Sequence, residues 1–192
     1  MTPTQLNVFI VDAETTGVDI RKDEPVQIAV GKIEGVDKLK IDVIYSQPHC
    51  PISPGAEQVH GFTRDKLREK EALRPDLAAQ AFNGIIWYGQ PALIVGYNIL
   101  NYDWPLIQNW LKTNTRSPFH APPCVGVLDI MFYAQAFLGT RKWPKLSDAC
   151  SRLGVEMGGV PLHDARGDVY LTWKVWKALG KEKGCSFIYS QE

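Results

Sequence analysis

The sequence has no excess of charge of either sign: 21 lysines and arginines face 21 aspartates and glutamates. Proteins that coat long DNA usually carry a strong positive excess. A neutral chain that acts on nucleic acid must therefore grip only a short end, or let metal ions supply the positive charge. Long apolar runs are also missing. No stretch is long enough to span a bilayer, which argues against a membrane partner. The first apolar run, residues 8–11, is too short for a secretory signal and lacks a cleavage site, so the expected location is cytoplasmic. Cysteine is sparse. Cys50, Cys124, Cys150 and Cys185 form no CxxC pair, which fits reduced thiols. His49 and Cys50 with His120 and Cys124 would make four zinc ligands, but their spacing matches no zinc module. Internal repeats and low-complexity runs are absent.

What remains is an ordinary globular composition, 45% hydrophobic and 22% charged over 192 residues. At about 150 residues per domain this is one domain or slightly more. Residues 1–180 are expected to form it, with 181–192 a polar tail. Residues 7–11 are a buried-strand run that ends at Asp12. Residues 26–33 and 41–45 are rich in Val and Ile and complete a candidate antiparallel meander. Residues 48–55 read as a proline-rich loop and 75–88 as a helix. A strand at 92–97, a helix at 102–111 and a strand at 125–128 follow. Helices at 129–138, 145–153 and 164–179 close the chain. Strands followed by alternating helices and strands predict an α/β domain with a mixed sheet.

Asp12 and Glu14 are two residues apart at a strand end, so both project from one face. At roughly 4 Å two such charges repel by about 4 kcal/mol at an effective dielectric near 20. A divalent cation removes that cost. The alternative is a solvated strand end with two unrelated acids. Asp12, Glu14, Thr16 and Gly17 also fall at positions one, three, five and six of a calcium-binding EF-hand loop, but Asp23 stands where that motif closes on glutamate and a strand enters it. Asn98 and Asp103 follow the strand at 92–97, where capping and turn roles are equally open to them. His163 and Asp168 lie about 140° apart on a helical wheel and share no face of a continuous helix. They converge if His163 is in the loop, Asp164 caps, and Asp168 sits in the first turns.

Taken in order, Asp12-Ala-Glu14-Thr15-Thr16-Gly17, then Asn98 with Tyr102-Asp103, then His163-Asp-Ala165-Arg-Gly-Asp168 resemble the three motifs of the DEDDh branch of the DnaQ-like 3′→5′ exonucleases. Glu24-Pro-Val-Gln-Ile-Ala, Val59-His60-Gly61-Phe62-Thr63, Leu128-Asp129 and Lys145-Leu146 extend the resemblance to about residues 7–178. The spacing of the middle motif is similar to the exonuclease I and three-prime repair exonuclease groups. Polymerase III epsilon proofreading subunits often have one residue fewer there, and many members have His where this chain has Tyr97.

The resemblance implies an RNase H-like, mixed five-stranded sheet flanked by helices. It implies that Asp12, Glu14, Asp103 and Asp168 hold two Mg²⁺ ions about 4 Å apart, replaceable by Mn²⁺. His163 would be the general base and nucleoside 5′-monophosphates the products. Ala13, Thr15, Thr16, Gly17 and Val18 would receive the terminal nucleotide, with Gly17 allowing close approach and Val18 wedging against the base; a plain tight turn is the alternative. Asn98 would orient a carboxylate or touch the terminal sugar. The expected partner is a nucleic-acid 3′ end, single-stranded DNA first, with a polymerase or repair complex beyond it. Arg64, Lys66 and Arg68, and separately Arg141, Lys142, Trp143 and Lys145, are candidate grips on the strand, or ordinary solvated surface. RNA as substrate and a non-catalytic binding module are the rival readings; the latter predicts a lost ligand, and none is lost.

Overall fold

A computed structural model describes residues 6–35, 37–86, 91–115 and 124–182. Its elements are β1 (Asn7–Thr15), β2 (Pro25–Gly35), β3 (Lys38–Tyr45), α1 (Pro54–His60), α2 (Arg64–Glu69), α3 (Pro75–Ile86), β4 (Ala92–Gly96), α4 (Asp103–Asn114), β5 (Cys124–Asp129), α5 (Ile130–Leu138), α6 (Leu146–Arg152) and α7 (Ala165–Glu182). The five strands form one sheet in the order β3-β2-β1-β4-β5. β1 pairs antiparallel with β2 and β2 with β3, while β1–β4 and β4–β5 are parallel. This is the mixed, helix-flanked five-stranded α/β sheet that the sequence predicts.

The central strand β1 is covered on both faces, which explains its almost unbroken apolar run. Val8 and Ile10 face one core, built with α5, α6 and α7 around Ile130, Ala149, Val169 and Leu171. Phe9, Val11 and Ala13 face the other, built with α3 and α4 around Phe82, Ile107 and Trp110. β3 is an edge strand, where Lys38 and Lys40 are exposed in a pattern that discourages further pairing.

Local chemistry sets the helix ends. Ser53 caps α1 through its Oγ on the Ala56 amide, Pro54 takes the first turn, and Gly61 closes it at φ 72°. The stretch read as a loop over 48–55 thus ends two residues early, because Pro54 and Gly55 already belong to the capped turn. α4 begins at Asp103 and runs to Asn114, and α7 continues past 179 to Glu182. The last residues of the helix expected over 75–88, and most of the expected tail, lie outside the described residues. Trp87, Trp110, Trp173 and Trp176 stand at helical spacing, which predicts core positions; Trp110 and Trp173 are buried, Trp176 is half-buried against the same core as Trp173, and Trp87 lies outside the described residues. Among the described residues no helix is long and apolar enough to cross a membrane.

Candidate active site

The alternation of β1 puts Asp12 and Glu14 on the same face as Val8 and Ile10, directed toward the start of α7. Asp168 meets them there. One carboxylate oxygen from each of Asp12, Glu14 and Asp168 lies within 4.8 Å of the other two. Asp103, the first residue of α4, completes the group, close enough to raise the Asp12 carboxyl by its charge. Among the described residues no lysine or arginine forms a salt bridge with any of the four.

The electrostatic consequence is severe. Burial, followed by the charges of Asp103, Asp168 and Glu14, pushes the Asp12 carboxyl well above the usual range. Burial and the charges of Asp168 and Asp164 raise Glu14 to about 7. Asp103 is also raised by burial, against a pull from the backbone amides of Asp103 and Ala13. Asp168 is raised by burial and drawn back by the charge and amide of His163. One oxygen of Asp168 is buried without a hydrogen-bond partner. Asp12, Glu14 and Asp168 lie close enough together to hold a divalent cation, and an all-carboxylate donor set with a buried unpartnered oxygen suits a hard one.

The start of α7 is held in place from across the sheet. Gln27 of β2, fully buried, accepts from the Ala165 amide at 2.9 Å and reaches Asp164 with its own amide group. Asp164 accepts from the Arg166 amide at 3.0 Å, so it caps the helix as expected. His163 precedes it in the left-handed region, at φ 59°, with its side chain exposed. A Cβ on Gly167 would stand 2.4 Å from the Pro161 carbonyl oxygen, so a bare glycine lets the segment carrying His163 fold tightly over α7. His163 and Asp168 converge in the way that a loop histidine and an early helical aspartate can.

The turn after β1 is pinned through three successive carbonyls. The Thr15 carbonyl accepts from His60 Nε2 at 3.0 Å, the Thr16 carbonyl from the Ser53 amide at 2.8 Å, and the Gly17 carbonyl from the hydroxyls of Thr15 and Tyr102. The Phe62 amide donates to His60 Nδ1, which fixes the hydrogen of the neutral ring on Nε2. Burial lowers the His60 pKa, favouring that neutral form. Thr16 donates to Asp23, and a Cβ on Gly17 would lie 2.6 Å from the same carboxylate. Gly17 therefore has a local packing reason besides any contact with a nucleotide. Asp23 is occupied by these loop contacts and the Asp19 amide, and a strand enters the loop; both count against the EF-hand reading. Val18 stands at the tip, 89% exposed. Ala13 does not join the group with its side chain: its methyl packs in the opposite core, and only its backbone faces Asp103.

Asn98 lies in the left-handed region at φ 59° and is exposed. Its side-chain oxygen accepts from Asn101 at 2.9 Å. The residue that organises this turn is Asp129, at the end of β5. It is 2% exposed and accepts from the amides of Asn98, Leu100 and Met131. Asp129, Gln27, His60 and Tyr102 all lie in segments that carry the family resemblance, but the sequence assigns none of them a part in holding the site. His120 of the zinc alternative lies outside the described residues, and Cys50 and Cys124 are free thiols.

Comparison with known proteins agrees with this geometry. The RNase_T family, described as exonuclease, matches residues 9–176 and so runs through every residue of the site. The chain is 26% identical over 167 residues to a PolC-type DNA polymerase III of Thermotoga maritima, covering 87% of this chain and 11% of that protein. It is 25% identical over 180 residues to the DNA polymerase III epsilon subunit of Buchnera aphidicola, covering 88% of this chain and 70% of the subunit. The chain thus spans only about a tenth of the PolC-type relatives it matches. E. coli exonuclease I, solved with a dT13 oligonucleotide, superposes with a TM-score of 0.79 at 22% identity over 94% of this chain and 42% of its own. At that identity the likeness establishes the fold. Joined to the family match across the whole acidic group, it leaves one assignment: the chain belongs to the DnaQ-like exonucleases.

Proposed function

We propose that the chain is a metal-dependent 3′→5′ exonuclease that removes nucleoside 5′-monophosphates from single-stranded DNA ends. The observation that carries the reading is the meeting of four raised carboxylates, with an orphaned Asp168 oxygen, at the end of the central strand. Asp12, Glu14, Asp103 and Asp168 would hold two Mg²⁺ ions, or Mn²⁺ in their place. Bound there, such ions neutralise the phosphodiester and the leaving 3′ oxygen and acidify a water.

The chain's own groups do the rest. His163, exposed beside Asp168, accepts the proton of the attacking water on its imidazole, and Asp168 stabilises the imidazolium that forms. The pinned turn of Thr15, Thr16 and Gly17 presents a fixed edge to the terminal nucleotide, and Val18 is free to pack on its base. Asn98 sits at the rim, where it reaches the sugar rather than a carboxylate. Residues 1–180 make up the catalytic unit. The relatives named as polymerase III subunits favour a polymerase or repair complex as the working partner.

The test is a comparison of 5′-labelled single-stranded DNA, duplex DNA, mismatched duplex and RNA of one sequence, with Mg²⁺ and with chelator. Single-stranded DNA is expected to be shortened fastest, and only with metal. RNA cleaved tenfold faster than DNA would overturn the DNA assignment and favour an exoribonuclease.

A further inference from the structure

We infer that the loop between α5 and α6, residues 139–145, is a second grip on the substrate strand. In it Trp143 stacks on a base, and Arg141, Lys142 and Lys145 hold phosphates on the 5′ side of the terminal nucleotide. This rests on the exonuclease reading for the identity of the strand, but its evidence is independent of the acidic site.

Three observations converge. First, the loop is anchored at the active end of the sheet. Tyr97, adjoining Asn98, donates from its buried hydroxyl to the Pro144 carbonyl at 2.7 Å. Pro144 is itself buried, and Gly139 turns the chain back at φ 62°. Trp143 consequently returns to Phe132 in the first turn of α5, with ring centroids 4.9 Å apart. That turn starts at Asp129, whose carboxylate organises the approach to Asp103.

Second, an aromatic plane is presented to solvent on this rigid support. Trp143 remains 56% exposed, although the contact with Phe132 fixes its position. A large flat apolar side chain held in water beside a catalytic cleft is suited to stacking with a base.

Third, the cations around it are uncommitted. Arg141, Lys142 and Lys145 are exposed, and none forms a salt bridge or side-chain hydrogen bond among the described residues. The rival basic stretch is already engaged: Arg64 donates to the Cys50 carbonyl, Lys66 to the Gly61 carbonyl, and Arg68 pairs with Asp65. Among the described residues this loop thus gathers three exposed cations without a side-chain partner around one aromatic, while Arg21 and Arg166 are single exposed cations on other segments. Cations that track a backbone beside a stacking surface are the usual means of holding a single strand without reading its sequence.

The experiment compares Trp143→Ala, Trp143→Phe and the double variant Arg141→Ala/Lys142→Ala with the parent chain. The readouts are kcat/KM on a dinucleotide and on a twelve-nucleotide DNA strand, and quenching of tryptophan fluorescence by that strand without Mg²⁺. Trp143→Ala should lower kcat/KM on the long strand by about 5- to 150-fold, the span of one base–aromatic stack. The dinucleotide should be cleaved as before, and Trp143→Phe should recover most of the loss. The double variant should reduce the salt slope of log affinity for the strand by about 1.4, from two lost phosphate contacts at about 0.7 each. Equal losses on the two substrates, or none on either, would overturn the inference. So would quenching that is unchanged in Trp143→Phe, and quenching of Trp143 by an acidic peptide but not by the strand would assign the loop to a protein partner instead. A chain that quenches as described but cleaves nothing would refute the exonuclease reading and leave this one standing.

Discussion

Replacing Glu14 by Gln should stabilise the metal-free protein while destroying its response to metal. Glu14 is 9% exposed, and burial with the charges of Asp168 and Asp164 raises its carboxyl from 4.5 to about 7. A raised acid is held protonated more tightly in the folded state than in the unfolded one. Stability therefore falls as pH rises between 4.5 and 7, and the full penalty is present only above 7. That rise corresponds to about 3 kcal/mol. A buried glutamine amide with incomplete partners returns about 1 kcal/mol of it. The variant should then gain about 2 kcal/mol at pH 8, or about 4–8 °C in Tm for a chain of this size. At pH 4.5 the carboxyl penalty has nearly gone and the glutamine cost remains, so the variant should melt about 1–2 °C below the parent. Saturating Mg²⁺ should reverse the order, since ligand at a hundred times its Kd adds about 2.7 kcal/mol to the parent and little to the variant. Calorimetric melts at the two pH values, with and without Mg²⁺, decide this. A variant no more stable than the parent at pH 8 without metal, or an equal Mg²⁺ response in both, would show that Glu14 is neither a strained acid nor a metal ligand.

His163→Ala should cut turnover by about 10²–10⁴-fold while keeping the Mg²⁺-induced rise in Tm; near-normal turnover would remove His163 from the base role. Gly167→Ala places a methyl 2.4 Å from the Pro161 carbonyl oxygen and should cost about 1–3 kcal/mol in denaturant melts, with turnover falling as the His163 segment is displaced. An unchanged melt would show that the segment accommodates the methyl. Tyr102→Phe removes the hydroxyl that reaches Thr15 and Gly17 and should cost about 1 kcal/mol of stability. It should raise KM more than it lowers kcat, which steady-state kinetics on a short oligonucleotide would check.

The sheet was legible in the sequence because its three antiparallel strands are short Val- and Ile-rich runs, each with its own turn signals. The acids were legible because β1 alternation and a helix start are local properties: two residues apart put Asp12 and Glu14 on one face, and Asp164 announces the helix that carries Asp168. What escaped depends on distance along the chain. Gln27 meets Ala165 across 138 residues, and Tyr102 meets Gly17 across 85, so no local pattern marks either pair. The same period-two rule that joins Asp12 to Glu14 sends the Ala13 side chain to the other core, which is why a contiguous motif overstates the set of side chains lining the site. Charge was illegible for a related reason. Arg64 and Arg141 look alike in sequence, and only the folded chain shows that one is bonded to a carbonyl and the other is free.

Metal-dependent removal of nucleotides from a 3′ end is the activity assigned to the carboxylates gathered at the end of β1. Its most direct measurement follows two single-stranded DNA oligonucleotides, one labelled at its 5′ end and one at its 3′ end, on a denaturing gel with Mg²⁺. The 5′ label should move down a ladder one nucleotide at a time. The 3′ label should leave at once as a mononucleotide, and Glu14→Gln or chelator should stop both. Immediate release of the 5′ label as a mononucleotide, internal cuts, or undiminished cleavage by Glu14→Gln would contradict it.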